Sequence, residues 1–339
     1  MRITDVNPYT PSSVRSRGSR HTEKTLDRLL TEYLGVESAV VSSARAGIHL
    51  ILGQLQLTKR NHVLIPDFLC GSVHYILNQQ GFSVRKPDNR TKAVFLLHQW
   101  GYPQKMEFIM AEAKKRGWFV IEDCAHTFGG SYRGQKLGSF GDAAVFSISK
   151  FFPTYTGGAI VSRRDDVIER ARQIRRKPRS STHRAYDILS MKTAREFYLL
   201  HRPPLLFKTI CINAMYFPRI SSEAMARFPR TVEEVKSAIA KRQFAFEELK
   251  KQVGSDYYPR HLEEGSEIVP FCMPVFLPEA KLTQAKEMLA AKHIKADILH
   301  FDVNRNTLDP RYIKCLALPC HQFVTDEELG HMCDVIRRV

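Results

Sequence analysis

The sequence predicts an α/β fold in which a mostly parallel central sheet is flanked by helices, with a smaller α+β domain at the C-terminus. Two observations indicate this fold. In the first half of the chain, short apolar runs typical of buried strands alternate with helical patterns. After residue 268, a strand, a helix, a short strand and a closing helix follow one another. With 339 residues, of which 43% are hydrophobic, the chain can bury the cores of a large and a small domain.

The first half begins with a loose N-terminal segment, after which helices and strands alternate. Leucines at helical spacing predict a helix over 21–35 that ends at Gly35. Short β-rich runs predict strands over 38–41, 63–65, 93–98, 119–122 and 143–147. Helical patterns lie among them over 46–57, 73–80 and 106–116.

The second half departs from this alternation. Residues 175–230 form a basic and apolar insertion, and its part 195–220 carries bulky apolar residues between basic ones. An amphipathic pattern then predicts a long helix over 232–253. The small unit has predicted strands over 268–276 and 296–301 and predicted helices over 281–292 and 326–339, with Thr325 as the cap of the last helix. We therefore expect a large domain at 1–235 and a small domain at 236–339.

Apolar runs and cysteines exclude several classes of protein. No apolar run approaches the roughly 18 residues that a membrane span needs, so no span is expected. Residues 1–20 lack the apolar centre of a secretory signal. The seven cysteines are scattered and form no CxxC motif, so neither a disulfide framework nor a zinc site is supported. The sequence therefore predicts a cytoplasmic protein with free thiols and no bound metal.

The net charge of +16 is unevenly distributed, because sixteen Lys and Arg but six Asp and Glu lie between Arg163 and Arg230. Such a segment can attract an anionic substrate, an anionic membrane surface or nucleic acid. Nucleic acid is least favoured, because no recognition helix or interleaved aromatic and basic pattern accompanies the charge. Peripheral membrane contact through 195–220 and a solvated basic face without a partner both stay open.

The stretch 120–158 carries the strongest chemical signal. Ligands of parallel α/β sheets bind beyond the carboxyl ends of the strands, and here Asp123 ends one predicted strand while Lys150 follows another. Pyridoxal 5'-phosphate (PLP) chemistry uses this pair, since a lysine holds the aldehyde as a Schiff base and an acid keeps the pyridine nitrogen protonated. A surface lysine and a capping aspartate are the alternative interpretations. The pair predicts a PLP enzyme.

Five segments of the chain resemble the DegT/DnrJ-type sugar aminotransferases, which are PLP-dependent enzymes of the aspartate aminotransferase fold type I. The strongest element of the resemblance is IEDCAH followed by Ser-x-x-Lys and Gly-Gly. The segments are SSARAGIHL at 42–50, VLIPDF at 63–68, HQWGYP at 98–103 with VIEDCAHTFGG at 120–130, FSISKFFPTYTGGAIV at 146–161, and CLALPCHQFVTDEEL at 315–329.

The resemblance implies roles for the residues around the cofactor ring. Lys150 would form the Schiff base, Asp123 would pair with the pyridinium nitrogen, and His126 would contact the phenolic oxygen. The family usually has five positions between the phosphate-binding serine and the lysine, whereas Ser147 and Lys150 are three apart. We interpret this difference as a loop deletion that keeps the lysine.

The resemblance also implies a phosphate site at the start of the helix after the first strand. Ser43, Ala44 and Arg45, together with Ser147, would bind the phosphate, with Arg45 at the position of the family's threonine. Ser43 as a plain helix cap is compatible with that role. Two family features are altered. Cys70 replaces the aromatic residue that stacks on the ring, for which Phe68 is the candidate substitute, and among the residues expected from a neighbouring subunit only Arg227 and Arg230 are candidates.

The implied activity is transfer of an amino group, with glutamate as donor, to a keto group of a nucleotide-linked sugar. The resemblance further implies a homodimer and a place in polysaccharide or lipopolysaccharide biosynthesis. A sugar dehydratase of the same fold is one alternative, although such enzymes typically lack the lysine. The other is a catalytically degenerate member that only binds a ligand, which the changes at Arg45 and Cys70 would favour.

Overall fold

A computed structural model of the protein describes residues 3–9, 21–176, 180–200, 209–210, 212–259 and 262–339. Its main feature is a seven-stranded sheet with the strand order β1-β9-β8-β5-β4-β2-β3, and β6 and β7 form a separate hairpin. The strands are β1 (Ser38–Val41), β2 (His62–Leu64), β3 (Phe82–Val84), β4 (Thr91–Leu97), β5 (Phe119–Asp123), β6 (Ser131–Tyr132), β7 (Gln135–Lys136), β8 (Ala143–Ser147) and β9 (Gly158–Val161).

Five strands of the large sheet, from β8 to β3, run parallel, and β9 lies antiparallel to both β1 and β8. Every residue of β1, β8 and β9 is buried, which explains the continuous apolar runs of the sequence. The helices are α1 (Glu23–Leu34), α2 (Ala44–Gln54), α3 (Gly71–Gln80), α4 (Met106–Arg116), α5 (Asp165–Arg176), α6 (Ser181–Leu200), α7 (Ser222–Arg227), α8 (Val232–Val253), α9 (Glu279–Ala291) and α10 (Asp326–Arg338).

The C-terminal part adds a three-stranded antiparallel sheet in the order β10-β12-β11. Its strands are β10 (Cys272–Val275), β11 (Asp297–Asp302) and β12 (Tyr312–Pro319). Apolar side chains of this sheet, such as Leu316 and Leu318, belong to the same buried cluster as Phe146 in β8 and Phe151, which follows β8 by four residues. The two sheets therefore share one continuous hydrophobic core.

The predicted fold class is confirmed, and several elements have the bounds that the sequence indicates, among them β1, α4, β8 and α8. Thr325 caps α10 through a capping box, as the sequence predicts. Five strands were not predicted, namely β3, the two-residue strands β6 and β7, β9 and β12. β3 has three residues at a sheet edge, and β9 begins with glycine, so their periodicity was too short to identify.

The predicted insertion at 175–230 contains α6 and α7, and residues 177–179, 201–208 and 211 lie outside the described residues. Nine residues of the apolar and basic stretch at 195–220, which was considered for membrane contact, therefore lie outside the described residues, and its contact with a membrane stays a prediction. The predicted domain boundary at residue 235 lies inside α8. None of the described helices combines the length and apolar character that crossing a membrane requires.

Gly158 determines how closely β9 approaches the turn between β1 and α2. A Cβ atom at this position would lie 2.4 Å from the backbone nitrogen of Ala44 and 2.4 Å from the carbonyl carbon of Ser43. Real Cβ atoms do not come so near to backbone atoms, so only glycine fits here. The first turn of α2 is thereby packed against the strand that pairs with Ser147.

Candidate active site

A cavity of about 150 Å³ lies at the carboxyl ends of the central strands. This is the edge of the sheet where parallel α/β folds bind their ligands. Most of the residues with predicted site roles line it, and they come from the turns that follow β1, β2, β5 and β8. They are Ser43, Ala44, Arg45, Cys70, Asp123, His126, Ser147 and Lys150.

Lys150 ends a single 3₁₀ turn, Ile148–Lys150, which directly follows β8. Its Nζ atom lies 5.0 Å from the centre of the Phe271 ring. Burial lowers the pKa of Lys150, while the neighbouring Asp123 acts in the opposite direction. A larger fraction of the amine is therefore neutral near neutral pH than in a solvent-exposed lysine, as a nucleophile or a general base requires.

Asp123 is the last residue of β5 and is 3% exposed. Its Oδ1 atom accepts a hydrogen bond of 2.9 Å from the backbone N–H of Ala125. Burial raises the pKa of Asp123, and the charge of Lys150 partly offsets this effect. A carboxylate in such surroundings favours a cationic partner, because a positive charge compensates for the water that burial has removed.

The Nδ1 atom of His126 and the Oγ atom of Ser42 belong to the cavity lining and are buried, and neither has a hydrogen-bond partner among the described residues. Unpaired buried polar atoms are destabilising and are uncommon in folded proteins. The His126 ring is fixed by stacking on Phe271, with 4.9 Å between the ring centres and 5° between the planes. A polar group bound in the cavity would satisfy both atoms, and the lining therefore fits PLP.

The N-terminus of α2 forms the predicted phosphate side of the cavity. Ser43 caps the helix, and its Oγ atom accepts the N–H of Ala46 at 3.2 Å. The Arg45 side chain lines the cavity and donates to Ser72 Oγ at 3.5 Å. A helix N-terminus with an arginine beside it attracts an anion through both its N–H groups and its dipole.

Cys70 lines the cavity at the start of α3, and its Sγ atom lies 3.2 Å from Ser72 Oγ. Burial raises the pKa of this thiol, but the hydrogen bond with Ser72 and the cations Lys150 and Arg45 outweigh it, so the pKa is lower than usual. A polarised thiol therefore takes the position where the resemblance implies a stacking aromatic residue.

Phe68, the predicted substitute for this aromatic residue, lies outside the cavity in this structure. Phe68 is not part of the cavity lining and is 44% exposed. Its ring stacks on His300, with 4.1 Å between the centres, and meets Tyr312 edge-on at 4.7 Å. In this position the ring contacts the small sheet rather than the cavity, and its role as a substitute for the stacking aromatic residue stays a prediction.

Two arginines were predicted to reach the site of a neighbouring subunit. Arg230 precedes the first turn of α8 and lies outside the cavity lining, and its backbone N–H donates to Glu234. Arg227 pairs with Glu223 at 2.9 Å and lies over the ring of Tyr155, which itself lines the cavity. Their role between subunits stays a prediction.

Sequence reasoning missed the wall of the cavity that α6 supplies. Tyr186, Asp187, Ser190 and Tyr198 of this helix line the cavity opposite the strand ends. Tyr198 stacks on Tyr9 from the N-terminal segment, with 4.1 Å between the ring centres. The segment had been interpreted as an insertion, and its polar residues gave no signal of where the helix would dock.

Glu122, next to Asp123, also escaped notice and has a structural role. Its side chain accepts backbone N–H groups of the 138–141 loop at 2.7 to 2.8 Å and lies 3.1 Å from His98 Nε2. With Cys124 these two residues form a group close enough to hold a metal. Because protein hydrogen bonds already engage the carboxylate, we interpret the group as part of the loop anchor.

The pKa of His126 leads to a prediction about pH and stability. Burial, and secondarily Lys150, lowers this pKa well below the usual value. A histidine of this kind stabilises the fold above its unfolded pKa, and the stability is lost as the pH falls through the folded pKa. We expect apoprotein stability to fall below about pH 6.5 and His126→Gln to reduce the slope by up to about 1.4 kcal/mol per pH unit.

Urea unfolding at a series of pH values from about pH 7.5 to pH 5 measures this slope. The matched control is His293→Gln, which changes an exposed histidine. If both variants keep the wild-type slope, His126 does not titrate differently in the folded and unfolded protein.

The fold, with its cavity at the strand ends, is shared with solved aminotransferases. The solved structure of a DegT DnrJ EryC1 StrS aminotransferase from Brucella abortus superposes with a TM-score of 0.69 at 16% identity, over 95% of this chain and 91% of its own. The sequence pattern of the DegT/DnrJ/EryC1/StrS aminotransferase family matches residues 85–337. The chain belongs to this family, which confirms the resemblance predicted from the sequence.

Named relatives agree with the family assignment. GDP-perosamine synthase of Vibrio cholerae is 30% identical over 186 residues, which are 48% of this chain and 49% of the relative. L-glutamine:2-deoxy-scyllo-inosose aminotransferase of Streptomyces lividus is 25% identical over 95% of this chain and 81% of its own length. The chain spans about half the length of the first relatives that it matches, between 42% and 49%.

Proposed function

We propose that this protein is a PLP-dependent aminotransferase that moves an amino group from glutamate to a keto group of a nucleotide-linked sugar. The observation that carries the proposal is the convergence of Asp123 and Lys150 in one cavity at the carboxyl ends of two adjacent parallel strands. The same cavity contains the His126 Nδ1 atom, which has no hydrogen-bond partner in the described part of the chain, and a helix N-terminus suited to a phosphate.

When bound, PLP supplies an aldehyde that accepts the amino group and a ring that withdraws electrons from the reacting carbon. Asp123 would hold the proton on the ring nitrogen, and the resulting ion pair would relieve the burial that raises the pKa of this carboxyl. Lys150 Nζ would move the proton to and from the reacting carbon as a general base. Its lowered pKa keeps the amine available for that transfer.

Charge and similarity support an anionic sugar substrate. Arg45 faces the cavity and the chain carries a net charge of +16, which favours binding of a diphosphate-linked sugar. The name of GDP-perosamine synthase refers to a nucleotide-linked amino sugar, whereas that of the inosose aminotransferase names glutamine as donor. The donor assay must therefore compare glutamate with glutamine. A homodimer is part of this proposal, and the presence of Lys150 argues against the dehydratase alternative.

The test is an absorbance spectrum of the wild-type protein with PLP, recorded before and after each amino donor is added. We expect a visible band that L-glutamate converts into a near-ultraviolet band, with one equivalent of 2-oxoglutarate released per site. D-glutamate is the control and should leave the band unchanged. A spectrum identical to that of free PLP, or a visible band that neither L-glutamate nor L-glutamine changes, would contradict the proposal and favour a ligand-binding role.

A further inference from the structure

Arg242 is a fully buried cation that the sequence did not single out. It lies on α8 with 0% exposure, and burial lowers its pKa to about 10. Its Nη1 atom donates to the carbonyl oxygens of Pro270 and Phe271, at 3.1 and 3.2 Å. Its Nη2 atom donates to the carbonyl oxygen of Lys150 at 3.2 Å. Burying a charge is costly, and the carbonyl oxygens that accept from the guanidinium offset part of this cost.

Gln322 completes the arrangement from the segment between β12 and α10. Its Oε1 atom accepts from Arg242 Nη2 at 3.1 Å, while its Nε2 atom donates to the carbonyl oxygen of Phe151 at 2.7 Å. Arg242 and Gln322 therefore hold two consecutive carbonyl groups, those of Lys150 and Phe151. The guanidinium also lies 4.6 Å from the centre of the Phe151 ring.

The turn that carries Lys150 needs such support because it is short. The N–H groups of Phe151 and Phe152 donate to the carbonyl of Ile148, and the N–H of Ile148 donates to the Gly157 carbonyl at 3.0 Å. The carbonyls of Lys150 and Phe151 are instead bound by the side chains of Arg242 and Gln322. Lys150 comes only three positions after Ser147, and these two side-chain contacts hold the backbone at the lysine and directly after it.

The Nη1 atom of Arg242 binds the segment whose side chain contacts the Lys150 amine. Phe271, whose carbonyl Arg242 holds, places its ring 5.0 Å from Lys150 Nζ and stacks on His126. One guanidinium thus fixes both the backbone that carries the amine and the ring on which the amine rests.

We propose that Arg242 and Gln322 form a positioning pair that sets the location of the Lys150 amine against Phe271 and His126. The inference rests on the proposed function for its catalytic meaning, but the geometry of the apoprotein can be tested without any reaction. Displacing a reacting group by about 1 Å can cost roughly 100-fold in rate.

The first experiment measures the amine itself. The apoprotein is treated with acetic anhydride over a range of pH, and acetylation of Lys150 is followed by mass spectrometry of its peptide. We expect Arg242→Ala and Gln322→Met each to change the acetylation of Lys150. Either its rate should change by at least about threefold, or its pH midpoint should shift by at least about half a pH unit. The matched control is Lys241→Met, which removes an exposed cation from the adjacent position of α8.

The second experiment uses turnover and chemical rescue. Arg242→Ala should lower kcat by roughly 10- to 100-fold with little change in the KM of the amino donor, and added guanidinium should restore part of kcat whereas ammonium at equal ionic strength should not. Gln322→Met, which keeps the volume, should lower kcat less. The double variant should lose less than the product of the two single losses.

The proposal is overturned if the variants lose only thermal stability while Lys150 acetylation stays as in Lys241→Met. Should Arg242→Ala fail to fold, Gln322→Met decides the question by the same measurement. Absence of any turnover in the wild type would contradict the proposed function, whereas the acetylation result would still report on the positioning of Lys150.

Discussion

Replacing Lys150 with alanine is expected to lower amino transfer by at least about 1,000-fold, because one side chain would both anchor the cofactor and move the proton at the reacting carbon. Wild type and Lys150→Ala are compared by stopped-flow absorbance after addition of L-glutamate, and by the yield of 2-oxoglutarate. In the variant, the visible band of the protein with PLP should be absent. Added ethylamine should restore a measurable part of the proton transfer.

The control for this variant is Lys136→Ala. Lys136 lies in the β6–β7 hairpin and is a second lysine with a lowered pKa, because it is partly removed from water. Its Nζ atom donates to the Tyr33 carbonyl oxygen at 2.7 Å. Amino transfer should be close to the wild-type rate in this control. Wild-type transfer in Lys150→Ala would mean that another amine forms the covalent bond.

Stability separates a catalytic loss from a folding loss. A lysine with a lowered pKa stabilises the fold only above its unfolded pKa, and this contribution is lost as the pH falls, so at neutral pH the buried charge of Lys150 opposes folding. Removing it should leave the free energy of unfolding of the apoprotein unchanged or higher. A less stable Lys150→Ala apoprotein would show that the lysine has a structural role.

Asp123→Asn is expected to lower kcat by roughly 100- to 10,000-fold. The amide oxygen can still accept the N–H of Ala125, so the local backbone bond of 2.9 Å is kept. What is lost is the negative charge that would hold the proton on the ring nitrogen. Single-turnover rates with L-glutamate and the dissociation constant of PLP measure the two consequences separately.

A cofactor analogue methylated on the ring nitrogen makes the Asp123 test specific, because it carries a fixed positive charge there. It should recover part of the lost rate in Asp123→Asn and bring no gain to the wild type. If the kcat of Asp123→Asn stays within tenfold of the wild-type value, the carboxylate does not control protonation of the ring nitrogen.

The prediction of the fold succeeded where the signal was local. The long helix α8 has its predicted bounds because Thr231 caps its first turn and Gly254 follows its last residue, and both effects involve near neighbours in the sequence. β12 was missed although its residues are strongly apolar, since a strand in a small antiparallel sheet is identified by partners that lie far away in the chain.

In the site too, residues with a local sequence signal could be predicted, whereas contacts between remote segments could not. Asp123 and Lys150 could be found because each ends or follows a strand, and parallel strands bring such positions to one edge of the sheet. The position of Phe68 could not be predicted in this way, because its ring packs on His300 and Tyr312 of the small sheet. Nothing next to Phe68 in the sequence reports that contact.

By itself, the sequence determined the alternation of strands and helices in the first half of the chain, the strand-end carboxylate and lysine, and membership of an aminotransferase family. Only the tertiary structure decided which remote groups surround Lys150. Arg242 reaches its carbonyl from 92 positions away, and Gln322 holds Phe151 across 171 positions. Periodicity and capping act between near neighbours, whereas these contacts exist only after the core has brought the small sheet and α8 against the large one.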